Sequence, residues 1–213
     1  MTPLFETLLV LVLLLNLVAL GISRIRALIR TVALQGIVLG AMPLFVHEHI
    51  DVRVVLVSLV TVAMKGMVIP AMLQKAMRDV QIKREVEPLV GLIPSMMLGA
   101  TATALAVALA QFLPLAGEHI VGLVVPTSLA TVLTGFLLLT TRLKAISQVL
   151  GYLVLENGIF IFGLLLLEAM PLLVEMGVLL DLLVAIFVMG IILNHINREF
   201  SSLDTRQLST LKD

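Results

Sequence analysis

The sequence predicts an all-α membrane protein built as a polytopic bundle of transmembrane helices. Of its 213 residues, 60% are hydrophobic and only 13% are charged, and the mean hydropathy is +1.16. A soluble domain carries about 25% charged residues and about 45–50% apolar ones. So few charges could not cover so much apolar surface, which excludes a soluble single-domain enzyme.

Seven apolar segments supply the expected helices. A transmembrane helix needs about 20 mostly apolar residues, and the connections between the segments are short. The expected spans are 4–23, 28–46, 53–75, 90–113, 120–141, 145–167 and 171–194. We therefore expect one transmembrane domain over residues 1–213. The first segment lacks a basic leader and a cleavage site, so it is expected to be a span and not a cleaved signal peptide.

The basic residues predict the orientation of the bundle. Twelve of the 14 lysines and arginines follow spans 1, 3, 5 and 7, whereas the opposite loops are acidic or neutral. Lysine and arginine accumulate in cytoplasmic loops. We therefore expect a multi-pass protein of a prokaryotic cytoplasmic membrane, with the N-terminus outside and the C-terminus in the cytoplasm.

An internal repeat is suggested by a shift of 118 residues. The shift places residues 23–29 over 141–147 and Gly40 over Gly158. A parallel 3+1+3 arrangement would explain the similarity, although any two basic loops followed by apolar helices look alike. The units would be 1–80 (first three-helix unit), 88–115 (linker helix) and 120–213 (second three-helix unit).

Three charged residues fall in the middle of expected spans: Lys65, Glu156 and Asp181. Each costs about 2.5–3.5 kcal/mol at a helix centre, and such residues usually mark ion or proton pathways. A rise of about 1.5 Å per residue places both acids near the midplane. The residues alone leave open which acid Lys65 contacts. They also leave open a buried ion pair that only fixes helix packing.

Polar residues accompany these charges at helical spacing. Gln148 and Tyr152 precede Glu156 by eight and four residues, so the three share one stripe. Thr61 shares a face with Lys65, and His195 lies nearly in phase with Asp181. The expected proton pathway comprises Lys65, Glu156, Asp181, Tyr152, Gln148, Asn157, Thr61 and His195.

Several kinds of site are absent from the sequence. There is no cysteine, which excludes a thiolate metal site and an iron–sulfur cluster within this chain. There is also no Walker A motif and no recognisable hydrolase signature. We therefore expect no cofactor and no catalytic centre in this chain.

The stretch Gly151–Gly158 gives the sequence a family resemblance. Together with Glu175, Asp181 and the tail 203–212, it resembles hydrogenase-4 component E, over the whole chain and most strongly from residue 142. That family comprises membrane subunits of group 4 membrane-bound [NiFe]-hydrogenase and formate hydrogenlyase-type complexes, which are related to complex I. Region 120–213 is also similar to the K subunit of complex I. Compared with the two acids of the K subunit, Glu156 lies three residues further along the chain and Asp181 lies about two residues earlier.

The resemblance implies a function in a larger assembly. It implies proton or cation translocation coupled to redox chemistry, with the NiFe and iron–sulfur centres in soluble partner subunits. Antiporter-like and quinone-subunit-like proteins would be neighbours in the lipid bilayer, and no nucleic acid would be a partner. Three other readings stay open: a subunit of a cation/proton antiporter without redox coupling, an independent small transporter, and a structural adaptor between larger subunits.

Overall fold

The structure is a computed structural model that describes residues 3–46, 52–79, 86, 88–112, 122–164 and 190. Its helices are α1 (Pro3–Gly21), α2 (Ile25–Ala41), α3 (Pro43–Val46), α4 (Val52–Ala63), α5 (Ile69–Asp79), α6 (Leu92–Ala110), α7 (Val124–Thr141) and α8 (Ala145–Gly163). A π-helical turn, Met64–Val68, joins α4 to α5. The all-α class is confirmed in these ranges, which contain no strand beyond an isolated bridge.

Six helical stretches of the described chain are long and apolar enough to cross a membrane. They are Pro3–Gly21, Ile25–Phe45, Val54–Lys75, Leu92–Ala110, Val124–Thr141 and Ala145–Gly163. These correspond to six of the seven expected spans. The fifth begins at Val124 and not at residue 120, because Gly122 and Leu123 form a turn. Of the expected seventh span, 171–194, the structure describes residue 190 and no other.

Glycines bring α7 and α8 close together. A Cβ atom added at Gly151 would lie 2.8 Å from the backbone nitrogen of Leu139, and one at Gly158 would lie 2.6 Å from that of Val132. At Gly135 the added atom would collide with the backbone of Leu155. Small residues allow this approach between membrane helices, and Gly151 and Gly158, seven residues apart, share one face of α8.

Gly135→Ala is expected to lower the thermal stability of the bundle. The added methyl group meets backbone that can yield only if α8 moves, and overpacking of this kind costs about 1–3 kcal/mol. Gly163→Ala is the matched control, since a Cβ atom there meets no described atom within 4 Å. Thermal unfolding of both variants in detergent would check the prediction, and equal melting temperatures would contradict it.

The loops after α1 and α7 meet at one end of the bundle. The backbone N–H of Val86 donates to Ser23 O at 2.7 Å, and that of Leu89 donates to Thr141 O at 2.8 Å. Val86 and Leu89, which precede α6, therefore connect the two loops. Two of the expected basic loops, those after the first and fifth spans, thus lie at one end of the bundle. Which side that end faces stays a prediction.

These two loops also share a backbone conformation. Arg24 has φ −109° and ψ 123°, and Arg142, its counterpart under the 118-residue shift, has φ −108° and ψ 130°. The two hydrogen-bond acceptors, Ser23 and Thr141, are counterparts under the same shift. This local correspondence agrees with the expected repeat. The 3+1+3 arrangement as a whole stays a prediction, because half of its last unit lies beyond the described residues.

Arg142 has an internal position that its loop location does not suggest. Its side chain is among the largest fully buried ones, and its Nη2 donates to Leu20 O at 2.7 Å. Burial lowers the pKa of its guanidinium from the usual value. Because it ties the α7–α8 loop to the end of α1, Arg142 contributes to packing as well as to loop charge.

Candidate functional site

A buried ion pair occupies the middle of the bundle. Lys65 Nζ lies 3.0 Å from Glu156 Oε1, and the two side chains are 7% and 9% exposed. Lys65 is the twelfth of 22 residues in its span, and Glu156 is the twelfth of 19 in α8. The structure thus pairs Lys65 with Glu156. Asp181, the other acid considered for Lys65, lies outside the described residues.

The backbone around Lys65 departs from regular α-helix. Lys65 lies within the π-helical turn, and the N–H of Ile69 donates to Met64 O, five residues earlier. Pro70 has no N–H to donate, so a disturbance of the ladder near Gly66 is expected from the sequence. The structure resolves that disturbance as a π-helical turn, a feature that is frequent at functional sites.

A glycine on α2 allows Lys65 to come close. A Cβ atom added at Gly36 would lie 2.6 Å from Lys65 Cβ, and one at Gly40 would lie 2.9 Å from the backbone nitrogen of Val62. Gly36 and Gly40 are four residues apart and therefore share a helix face. This face brings the π-helical turn against α2, where the polar side chains of the site converge.

The ammonium group of Lys65 has two further neighbours. It donates to Asn157 Oδ1 at 3.1 Å and lies 5.3 Å from the centre of the Phe160 ring. A cation over an aromatic ring gains about 0.5–2 kcal/mol, depending on how far it is desolvated. α8 therefore supplies a carboxylate, an amide oxygen and a ring face to one lysine.

From Asn157 a chain of hydrogen bonds crosses the bundle. Asn157 Nδ2 donates to Gln35 Oε1 at 3.4 Å, and Gln35 Nε2 donates to Asn16 Oδ1 at 2.9 Å. Asn16 Nδ2 then donates to Thr131 Oγ1 at 2.8 Å. Thr131 Oγ1 donates in turn to Thr127 O at 2.6 Å. We call Asn157, Gln35, Asn16 and Thr131 the amide chain; all four are buried.

The amide chain connects α8, α2, α1 and α7 to the π-helical turn. A polar group left unsatisfied in hydrocarbon costs several kcal/mol, so each of these side chains requires a partner inside the protein. The chain supplies one for every amide through alternating donors and acceptors. The site is therefore an internal polar layer in which one cation and one carboxylate are the charged members.

The other expected pathway residues occupy different surroundings. Thr61 is buried, but its hydroxyl donates to Val57 O at 2.8 Å within its own helix. Gln148 Nε2 donates to Arg142 O at 3.0 Å, at the loop end of α8. Tyr152 is half-buried one turn before Glu156. His195 and Asp181 lie outside the described residues, so their place in a pathway stays a prediction.

Sequence reasoning did not single out Asn16 and Gln35. Both are uncharged, so they carry none of the cost that draws attention to Lys65 or Glu156. Each is nevertheless an amide in the middle of a span that is otherwise largely apolar. Two such amides in consecutive spans need partners in the bilayer, and that need is the signal that would have predicted their pairing.

Comparison with known proteins gives one long match and several short ones. No family model matches the chain, and no solved structure matches it. The uncharacterized protein Rv0085 of Mycobacterium tuberculosis is 34% identical over 192 residues, which covers 89% of this chain and 87% of the relative. The chain belongs to the Rv0085 family.

This member of the Rv0085 family also matches hydrogenase-4 component E over a shorter region. The proteins of that name from Escherichia coli K12 and Shigella flexneri are 34% identical over 80 residues, or 38% of this chain. The match spans 37% of the component E proteins. The resemblance to component E is thus found over part of the chain, and its extension to the whole chain stays a prediction.

Proposed function

We propose that this chain is a membrane subunit of a complex I-related assembly of the membrane-bound hydrogenase or formate hydrogenlyase type. In that assembly it would contribute buried charges to proton or cation translocation driven by redox chemistry in partner subunits. The observation that carries the proposal is the Lys65–Glu156 pair at 3.0 Å in the middle of two spans. The partial likeness to hydrogenase-4 component E supports the kind of assembly.

The pair suits ion coupling because its two opposite charges lie in contact. At 3.0 Å the attraction between the ammonium group and the carboxylate depends strongly on their separation. A movement of the π-helical turn relative to α8 would change their separation. Such a movement would make Glu156 bind or release a proton, which is the elementary step of a relay.

The rest of the pathway is proposed on the sequence. Tyr152 and Gln148 continue from Glu156 along α8 toward the loop end, and Asp181 and His195 would extend the path through the seventh span. Thr61 would border it one turn from Lys65. Antiporter-like and quinone-subunit-like proteins would adjoin the chain in the bilayer. The NiFe and iron–sulfur centres would lie in soluble partner subunits.

One observation favours a second candidate function. Both members of the pair have polar partners and lie deep in the packing, as a structural adaptor between larger subunits would also require. The experiment that separates the two is Glu156→Gln in the assembled complex, with proton translocation and redox turnover measured separately. Loss of translocation alone supports the relay, and unchanged translocation supports the adaptor.

A further inference from the structure

We propose that Asn157, Gln35 and Asn16 are positioning residues that orient one amide group toward Lys65. The inference rests on the proposed function only for its effect on ion translocation. Its structural content is that Gln35, by accepting from Asn157 Nδ2, holds the Asn157 amide with its oxygen at the ammonium group.

The hydrogen bonds of the amide chain all run in one direction. An ammonium group can only donate, and a backbone carbonyl can only accept. The amide chain begins at an ammonium group, that of Lys65, and ends at a backbone carbonyl, that of Thr127. Every amide between them accepts with its oxygen and donates with its nitrogen. The two fixed ends therefore permit only one orientation of all three amides.

The position of Asn157 depends on both of its neighbours in the amide chain. Its oxygen faces Lys65 at 3.1 Å, and its nitrogen donates to Gln35 Oε1 at 3.4 Å. Because Asn157 and Gln35 are each only 2% exposed, water is poorly placed to replace the second bond. Without Gln35 the amide would be held at its oxygen only, and its contact with the ammonium group would loosen.

Hydrogen bonds in such a chain also strengthen one another. A donor that accepts from a cation becomes a better donor, particularly in a low-dielectric interior. The charge of Lys65 is thus partly compensated through four helices as well as by Glu156. A carboxamide has no acidic proton to transfer near neutral pH, so this arrangement positions a charge and does not conduct protons. Asn157 accordingly acts as a positioning residue.

The experiment is solid-state NMR of the full chain in lipid bilayers, with 15N-labelled lysine and asparagine side chains. The variants are Gln35→Met and Thr131→Val, with Thr131→Ser as the conservative substitution. The matched control is Thr134→Val. It removes a buried hydroxyl from α7, the helix that carries Thr131, but Thr134 is not a member of the amide chain. We expect a correlation between Lys65 Nζ and Asn157 Nδ2 to weaken in Gln35→Met and, to a smaller extent, in Thr131→Val, because the Asn157 amide is then held less firmly at the ammonium group. Thr131→Ser and Thr134→Val should match the wild type.

An unchanged correlation in both Gln35→Met and Thr131→Val would overturn the inference, as would an equal change in Thr134→Val. Should Gln35→Met fail to fold, the Thr131→Val and Thr131→Ser pair still decides the matter. A parallel measurement in the assembled complex separates the inference from the proposed function. We expect translocation to fall about tenfold in Gln35→Met, as for a buried amide left without its hydrogen-bond partner. A changed correlation with unchanged translocation would support the positioning and contradict the relay.

A different observation, at the loop end of the bundle, carries a second inference. A cavity of about 320 Å³ is lined by Arg26, Arg30, Gln74 and Arg78. The first two are one turn apart near the start of α2, and the last two are one turn apart near the end of α5. All four side chains offer hydrogen-bond donors, and three of them carry positive charge.

The geometry points to a binding site for a phosphate-bearing anion. Guanidinium groups bind phosphate oxygens in pairs, and the side-chain amide of Gln74 adds a further donor. Because the cavity lies where two transmembrane stretches end, we infer that its occupant is the headgroup of an anionic phospholipid. Basic pockets between transmembrane helices bind such headgroups.

The test measures lipid retention by native mass spectrometry of the delipidated full chain. The probes are phosphatidylglycerol, phosphatidylcholine and inorganic phosphate. The double variant Arg26→Gln and Arg78→Gln removes two charges from the cavity. The matched control, Arg24→Gln and Lys75→Gln, removes two exposed charges at the same end that do not line it. We expect the cavity pair to reduce phosphatidylglycerol retention about tenfold and the control pair to leave it near the wild-type level.

Equal loss in both pairs would overturn the site, because a diffuse positive surface would then explain the binding. Equal retention of phosphatidylglycerol and phosphatidylcholine would overturn it as well. Displacement of phosphatidylglycerol by inorganic phosphate would support the phosphate chemistry but contradict the lipid as the preferred source.

Discussion

Glu156→Gln is expected to reduce proton translocation by the assembled complex about a hundredfold or more, while the complex still assembles. Glutamine has nearly the shape of glutamate, and its oxygen can still accept from Lys65 Nζ. It cannot bind and release a proton, and loss of a proton-transfer group typically costs a factor of about 10²–10⁴. Lys65 would keep Asn157 Oδ1 and the ring of Phe160 as neighbours, which favours retention of the local packing.

The measurement requires the complex itself. The tagged chain would be purified from native membranes with its partners and reconstituted into vesicles. Proton uptake would be followed with a pH-sensitive dye, and redox turnover would be measured on the same preparation. Glu6→Gln is the control, because Glu6 is an exposed acid in the first turn of α1.

Two outcomes would contradict the proposal in different ways. Full translocation in Glu156→Gln would exclude a relay through this carboxyl group. A purified complex that translocates ions but contains no hydrogenase or formate-oxidising subunit would exclude the redox coupling. That second result would favour the antiporter reading, in which the same charges move ions without electron transfer.

The helices of this protein could be predicted because each span can be recognised from its own residues. A run of apolar residues long enough for the bilayer is a property of the segment alone, and six expected spans agree with helices to within a few residues. Lys65 and Glu156 were identified for a similar reason. A charge inside a span is costly wherever the helix lies, so the sequence marks it without knowledge of its neighbours.

What the sequence could not supply is the choice of partners between helices. The spacing of Gln148, Tyr152 and Glu156 predicts one stripe, yet Gln148 donates to the loop carbonyl of Arg142. Asn16 bonds to Thr131, and Gln35 bonds to Asn157, only because α1 and α2 pack against α7 and α8 in this arrangement. Hydrogen bonds between spans depend on helix rotation and close approach, which no single segment specifies.

Arg142 shows the same distinction for a loop residue. The distribution of charges predicts that Arg142 lies on the same membrane side as the other basic loops. Its loop does lie at the end of the bundle that also holds the loop after α1. Its burial depends on α1, whose carbonyl at Leu20 it reaches over 122 positions of sequence. Topology rules use the location of a charge, and they are insensitive to whether the side chain points outward or into the packing.

Lys65→Met is expected to destabilise the folded bundle by about 3–5 kcal/mol, because removing one member of a buried pair leaves the other without compensation. Adding Glu156→Leu should recover most of that loss. Replacement of both charges by apolar residues of similar size is often neutral or stabilising. A residual cost of about 1 kcal/mol is expected, since Asn157 Oδ1 has lost its donor. Lys75→Met, which removes an exposed lysine from α5, should have little effect.

The measurement is unfolding of the wild type, the two single lysine variants and the double variant in mixed detergent micelles. Translocation by the corresponding complexes is measured in parallel, which distinguishes an effect on stability from an effect on ion movement. Equal destabilisation of the single and double variants would show that the cost arises from lost packing and not from a carboxylate that has lost Lys65. Recovery of stability with translocation still absent would have a different meaning. It would show that an apolar pair suffices to hold these helices together, so that the charges at this position are needed for ion movement and not for the fold.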